Sequence, residues 1–265
     1  MVSGRWIAWA GLLPLLLLGA CGDGGRPIWK AETAKPTAVD GYLTPPRVLA
    51  TRLGSAGIAI VGAAAPGSRV RLGEPTGQLR YGVTAANGLW TIVVPASSEL
   101  RLFGVAETVG ARSVQAEGYL AVTPQGRAAQ LRAGAGAQVV SAPSRRPLIL
   151  ALDFDRDGAA MISGVGTINA EIGLRLDRTA AGGAAIDRQG RYSFALSRPM
   201  SPATHELEIS GEGGEDVVVV ATGRPPALDQ PFRASRLPNA WRIDWMTPGG
   251  GAQTTLLIDP PAATH

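Results

Sequence analysis

Few side chains in this sequence stand at spacings that could do chemistry. Asp153, Asp155 and Asp157 alternate ahead of Gly158. Three carboxylates at alternate positions before a glycine match the first half of a calcium loop. The second half does not follow. Counting from Asp153, the twelfth position is Gly164, where a bidentate glutamate belongs. Asp157-Gly158 is also a hairpin signal, so the stretch reads as a turn, with calcium at Asp153, Asp155 and Asp157 as the alternative. His205 lies near Ser201, but no nucleophile-elbow motif surrounds the serine. His205 and His265 are the only histidines, so no His/Cys cluster could hold zinc. Glu206, Glu208, Glu212, Glu215 and Asp216 could pair carboxylates for glycoside cleavage; the plainer reading is a solvated strand end. Trp241 and Trp245 share a strand face with Ile243. Exposed, they would offer a stacking surface for a sugar or a protein partner; buried, they would be core. These residues predict no enzyme, no cofactor and no resident metal.

The single cysteine, Cys21, has the most specific setting. Arg5 precedes an apolar run from Trp6 to Leu18, which Gly19-Ala20-Cys21 closes. A charge, an apolar stretch and then small residues is the order of a secretory signal. The run of about 15 residues falls short of the ~20 that span a bilayer as a helix. These residues resemble the signal peptide of a bacterial lipoprotein, in which a peptidase cuts before a cysteine that becomes acylated. The resemblance implies a leader over residues 1–20, lipid attachment at Cys21 and a chain held at a membrane. One acyl chain holds weakly, and two or more hold stably. In Gram-negative lipoproteins an aspartate directly after the cysteine favours the inner membrane. Here Gly22 takes that place and Asp23 follows it. The expected location is the outer membrane, periplasmic or surface-facing, with the periplasmic face of the inner membrane as the alternative.

Composition narrows what the rest can be. With Cys21 acylated, no thiol remains for a disulfide, so an exported chain must stabilise itself by core burial. The net charge of +4 is too small and too dispersed for a nucleic-acid footprint. Lysine occurs only at Lys30 and Lys35. The 35 glycines and 20 prolines fit many turns between short strands. Residues 21–46 lack periodicity and carry Gly24-Gly25, Pro27, Pro36 and Pro45-Pro46. They read as a flexible tether with a typical reach of about 25–30 Å.

From residue 47 onward apolar alternation is plain, and the chain repeats itself. Gly62 and Gly164, Val70 and Ile172, Gly88 and Gly190, and Trp90 and Tyr192 each lie 102 residues apart. A period of that length marks two whole domains rather than solenoid units. In each copy a short alternating strand (Val70, Leu72; Ile172, Leu174) precedes a second one (Trp90, Ile92, Val94; Tyr192, Phe194, Leu196). Asn87-Gly88 and Gln189-Gly190 supply the turns between them. Strands this short and this frequent predict a sandwich. The first copy resembles bacterial immunoglobulin-like and carboxypeptidase-regulatory-like modules at Gly62, Ala64, Pro66, Gly67, Val70, Leu72, Gly88, Trp90 and Pro95. The second departs, with Thr167-Ile168-Asn169 for the Ala-Pro-Gly turn and Tyr192 for tryptophan. These modules share no catalytic residues, so the resemblance implies fold and not activity.

The expected architecture is all-β: a first immunoglobulin-like β-sandwich over 47–143 and a second over 147–260. Pro143 to Pro147 reads as the linker. Val217 to Val220 reads as a strand buried on both faces, and Trp241–Trp245 with Thr255–Ile258 as a C-terminal hairpin. The expected function is that of a lipid-anchored envelope component, structural, adhesive or assembly-related, acting through protein–protein contacts. The alternative is a carbohydrate or peptidoglycan binding module using Trp241 and Trp245. Partners are the membrane, through the N-terminal lipid, and an envelope protein or glycan; nucleic acid is not among them.

Overall fold

The structure, a computed structural model, describes residues 42–261. Cys21, the 1–20 leader and residues 22–41 of the tether lie outside the described residues. The described residues from Leu43 onward form one compact unit. All of its regular structure is strand, and every strand pair is antiparallel.

The first sandwich opens with β1 (Arg47–Gly54), β2 (Gly57–Ala63) and β5 (Leu89–Val94), in the order β1-β2-β5. Against this sheet lies one made of β3 (Arg69–Gly73), β4 (Leu79–Val83), β6 (Arg101–Val109), β8 (Tyr119–Val122), β9 (Ala128–Leu131) and β10 (Gln138–Val139). Its order is β10-β9-β8-β6-β3-β4, and β7 (Arg112–Gln115) also pairs with β6. Residues 116–118 separate β7 from β8. In the second sandwich one sheet runs β15 (Arg191–Ala195), β12 (Ala160–Val165), β11 (Leu148–Asp155), β20 (Ala252–Ile258), β19 (Ala240–Met246), β18 (Phe232–Arg236). The other runs β14 (Thr179–Ala185), β13 (Glu171–Leu176), β16 (Thr204–Gly211), β17 (Gly214–Ala221).

The repeat has a structural basis. In β2, Gly62 lies under the Trp90 ring: a Cβ there would sit 2.2 Å from the indole and 2.3 Å from the Arg47 carbonyl oxygen. In β12, Gly164 does the same for Tyr192, 2.6 Å from its hydroxyl and 1.9 Å from the Leu148 carbonyl oxygen. The Tyr192 hydroxyl donates to that carbonyl at 2.9 Å. Both copies also carry a β-bulge beside this glycine, between Val48 and Ala50 and between Ile149 and Ala151. The conserved spacing therefore encodes one packed object, an aromatic ring seated on a bare backbone next to a bulge.

Three apolar layers hold the unit together. The first fills the first sandwich around Ile60, Leu72, Trp90 and Phe103. The second fills the second sandwich around Leu152, Ile162, Leu174 and Ile209. The third lies between the sandwiches. It joins Leu102, Ala121, Leu131 and Val139 to Leu150, Ala151, Trp241, Ile243 and Trp245. The sheet that carries β8–β10 is thus packed on both faces, as is the sheet that carries β11 and β19–β20. The sandwiches are stacked as four sheet layers, not strung on the Pro143–Pro147 segment. Val217 and Val219 also depart from expectation: they are half exposed, because β17 is an outer-layer edge strand with only Val218 and Val220 turned inward.

Gly62→Ala forces its new methyl group into the Trp90 ring and the Arg47 backbone. Overpacking of this kind costs about 1–3 kcal/mol. Urea unfolding of the variant should show that loss, while Gly67→Ala, where the added Cβ meets nothing within 4 Å, tests the φ cost alone.

Candidate functional site

Trp241 and Trp245 do not form a ligand surface. They are 8% and 0% exposed and face the layer between the sandwiches. Their strand β19 is an inner strand of its sheet, between β18 and β20, and the first sandwich covers its outer side. Tyr119 of the first sandwich meets Trp245 edge to face, with ring centroids 6.0 Å apart. The Trp245 indole N–H donates to Thr255 Oγ1 at 3.1 Å, so its polar edge is satisfied inside the protein. The glycan-stacking reading of these two residues is corrected by their burial.

Asp153 lies in the same layer and is 1% exposed. Its Oδ2 accepts the Ala137 backbone N–H of the first sandwich at 2.7 Å. Its Oδ1 accepts the Thr255 hydroxyl and, at 3.4 Å, the Gln253 amide. Burial pushes this carboxyl up to about 6, against those hydrogen bonds and the charge of Arg132. Asp155 points its Oδ1 to the backbone N–H groups of Asp157 and Ala159 at 2.9 and 3.0 Å, an Asx-type turn. The three aspartates therefore do not converge, and no cluster of metal-ligating side chains occurs among the described residues. The alternation that resembled a calcium loop is instead one carboxylate in the seam and one closing a turn.

His205 is buried, 6% exposed, on β16. Its Nδ1 lies 2.8 Å from Asp177 Oδ2 and its Nε2 2.9 Å from the Ser201 carbonyl oxygen. Both ring nitrogens face acceptors, so the imidazole must donate from both, and it has no lone pair to offer a serine hydroxyl. Burial alone would lower its pKa, but the Ser201 carbonyl and Asp177 outweigh burial and raise it. The hydrogen bond from His205, followed by that from the Glu206 N–H, holds Asp177 below the usual carboxylate value. This arrangement pins the 197–203 connection to the β13–β14 turn, beside a half-open cleft of about 490 Å³. Of the acidic stretch, Asp216 caps the Ile149 N–H at 2.9 Å, while Glu206 and Glu208 lie on the outer face of β16.

What the described residues do offer is a bare sheet face. On the outer side of β1-β2-β5 the cross-strand rows are Arg47–Ala63–Leu89, Ala50–Val61–Thr91 and Arg52–Ala59–Val93. The outer face of an antiparallel sandwich is normally polar. This one carries no acidic residue, and its arginines stand only on β1. Leu89 and Val93 are 42% and 46% exposed, and Leu49 in the bulge is 50%. By strand register, Leu49, Ala50 and Ala63 correspond to Leu150, Ala151 and Val165, which the first sandwich buries. The same face is covered in one copy and open in the other. Periodicity marks these positions as facing outward; it carries no signal for whether anything covers them.

No family model matches the chain, and no curated protein does either. Among solved structures it is similar to the BSP domain of a biofilm-associated protein, at 10% identity and a TM-score of 0.25, over 69% of this chain and 30% of that one. It is also similar to the central fibronectin-III array of RIM-binding protein, at 12% identity and a TM-score of 0.25, over 79% of this chain and 76% of that one. The chain thus spans less than a third of the first of these. Scores this low carry nothing about function.

Two outcomes follow from this chemistry. Trp245→Ala should cost about 3–5 kcal/mol of stability, as for a fully buried aromatic, read by chemical denaturation. The pH dependence should favour mild acid. Asp153 holds its proton more tightly folded than unfolded, so its contribution is lost as pH rises from about 4 through about 6. His205 is likewise raised, and its contribution is present below its unfolded value of about 6.5 and lost as pH climbs through the folded one. Unfolding free energy should therefore fall between pH 5 and pH 8, and Asp153→Asn should flatten the lower part of that slope.

Proposed function

We propose that this chain is an envelope component that works by protein–protein contact, held at the outer membrane by acyl groups on Cys21. The observation that carries the contact reading is the bare apolar outer face of β1-β2-β5. An exposed, flat apolar patch on a sandwich marks an interaction surface. Support for the anchor comes from the order of Arg5, the apolar run to Leu18, and Gly19-Ala20-Cys21. The two fit together mechanically. An anchor with a short tether keeps the open face within reach of other envelope proteins and raises their effective concentration. The stacked sandwiches make that face rigid, so little ordering entropy is lost when a partner docks.

Labelling cells with a fatty-acid analogue should tag the wild-type chain and not Cys21→Ser; a tagged variant would refute the anchor. In intact envelopes, chemical crosslinking and mass spectrometry should find partners linked through the first sandwich. Val93→Glu places a carboxylate on the open face without touching either core, and it should remove those crosslinks. An unchanged set of partners with the variant folded would overturn the contact reading.

A further inference from the structure

The packing inside the chain is head to tail. Strands β8–β10 and the start of β6 in the first sandwich sit on the outer face of β11, β12 and β18–β20 in the second. By the internal repeat, the β3 side of one copy corresponds to the β13 side of the other, and β1-β2-β5 corresponds to β11-β12-β15. The contact therefore joins two different faces. The contact leaves other outer faces open, among them β3–β4, where Leu79, Tyr81 and Val83 are exposed. The two outermost layers of the stack are the open β1-β2-β5 face and the outer face of β13-β16-β17.

The two ends are complementary. On β16 and β17, Glu206 stands opposite Val219, Glu208 opposite Val217, and Ser210 opposite Glu215. Val217 and Val219 are 50% and 52% exposed. Glu171 on β13 shares this face. These carboxylates outnumber Arg175 and Arg178, and Glu206 pairs with Arg178 only at the exposed turn, 3.8 Å away. The opposite end presents Val61, Leu89 and Val93 with Arg47 and Arg52, which form no ion pair among the described residues. Each end thus has a valine-rich centre, and the two carry opposite charge.

We infer that the open β1-β2-β5 face receives the β16–β17 face of a second copy of this chain, valine against valine and arginine against glutamate. The inference rests on the contact reading above and names the partner. The internal seam draws on β8–β10 and β18–β20, strands that extend only the two sheets already buried against each other. The end faces lack them. The contact between copies is accordingly smaller and reversible, and it depends more on charge.

Sedimentation velocity on the full chain in a mild non-ionic detergent tests this. The mean sedimentation coefficient should rise with protein concentration. It should fall back when salt is raised to about 0.5 M, where charges are screened within a few ångström. Val93→Glu blocks the receiving face and Val217→Lys the inserted one, so each variant alone should stay monomeric. Mixed in equal amounts they should form a dimer and nothing larger, because one open face and one competent β16–β17 face remain between them. A Val217→Lys protein that still dimerises by itself, or a mixture that stays monomeric, overturns the head-to-tail contact. A wild type that stays monomeric while Val93→Glu still loses its envelope crosslinks overturns self-stacking and leaves the contact reading standing.

Discussion

The apolar seam between the sandwiches is the constraint on which the rest of the molecule depends. Each sandwich has its own core, but a sheet buried on one face only could lean on its neighbour at many angles. The seam removes that freedom by matching sizes. Small residues (Ala121, Ala129, Ala137) line the first sandwich where the indoles of Trp241 and Trp245 come in from the second. Close packing of this kind tolerates little sliding, since each displaced ring would leave a void or a clash. The Arg127–Asp259 ion pair at 2.7 Å closes one margin of the contact.

A buried carboxylate in that seam is costly, and the cost explains what it does. Asp153 accepts the Ala137 N–H across the interface and the Thr255 hydroxyl within its own sheet. Burying a charged or polar group is tolerable only when its partners are in place. Slide the sandwiches by one strand position and the Ala137 amide and the carboxylate oxygen that accepts it lose each other at once. The apolar residues supply most of the attraction, whereas Asp153 makes wrong registers worse than the right one. The neighbouring turn obeys the same limit: Gly136, at φ +74°, approaches Ser163 and Ser193 so closely that a Cβ would lie 2.8 and 2.6 Å from their hydroxyls.

How much of this the sequence discloses depends on whether a contact is local. The ring-on-glycine packing of Gly62 with Trp90 and of Gly164 with Tyr192 joins adjacent strands of one sheet, so it survives as a fixed spacing and reveals the repeat. Alternation likewise shows that Trp241, Ile243 and Trp245 share a face. It cannot show what lies on that face, because the covering residues are more than a hundred positions away and carry no matching pattern. The aspartates mislead for a related reason. Strand alternation and calcium-loop spacing both place carboxylates at every second residue, and only burial separates Asp153 from Asp155. Cys21 is the reverse case: its claim rests on a linear order of residues, with no tertiary contact involved.

An exposed apolar sheet end is an aggregation hazard unless something limits its partners. Arg47 and Arg52 stand on the edge strand β1, flanking the apolar centre. Two copies meeting face to face through this surface would bring like charges together with no acid to offset them. The β16–β17 face would meet the same arginines with Glu206, Glu208 and Glu215. Charge thus disfavours the symmetric pairing that apolar area alone would permit and favours the asymmetric one. An asymmetric contact between identical chains does not close on itself unless its rotation happens to form a ring. An anchor at the chain's N-terminal end would hold all copies on one surface, so growth of such a stack would be confined to the plane of the membrane.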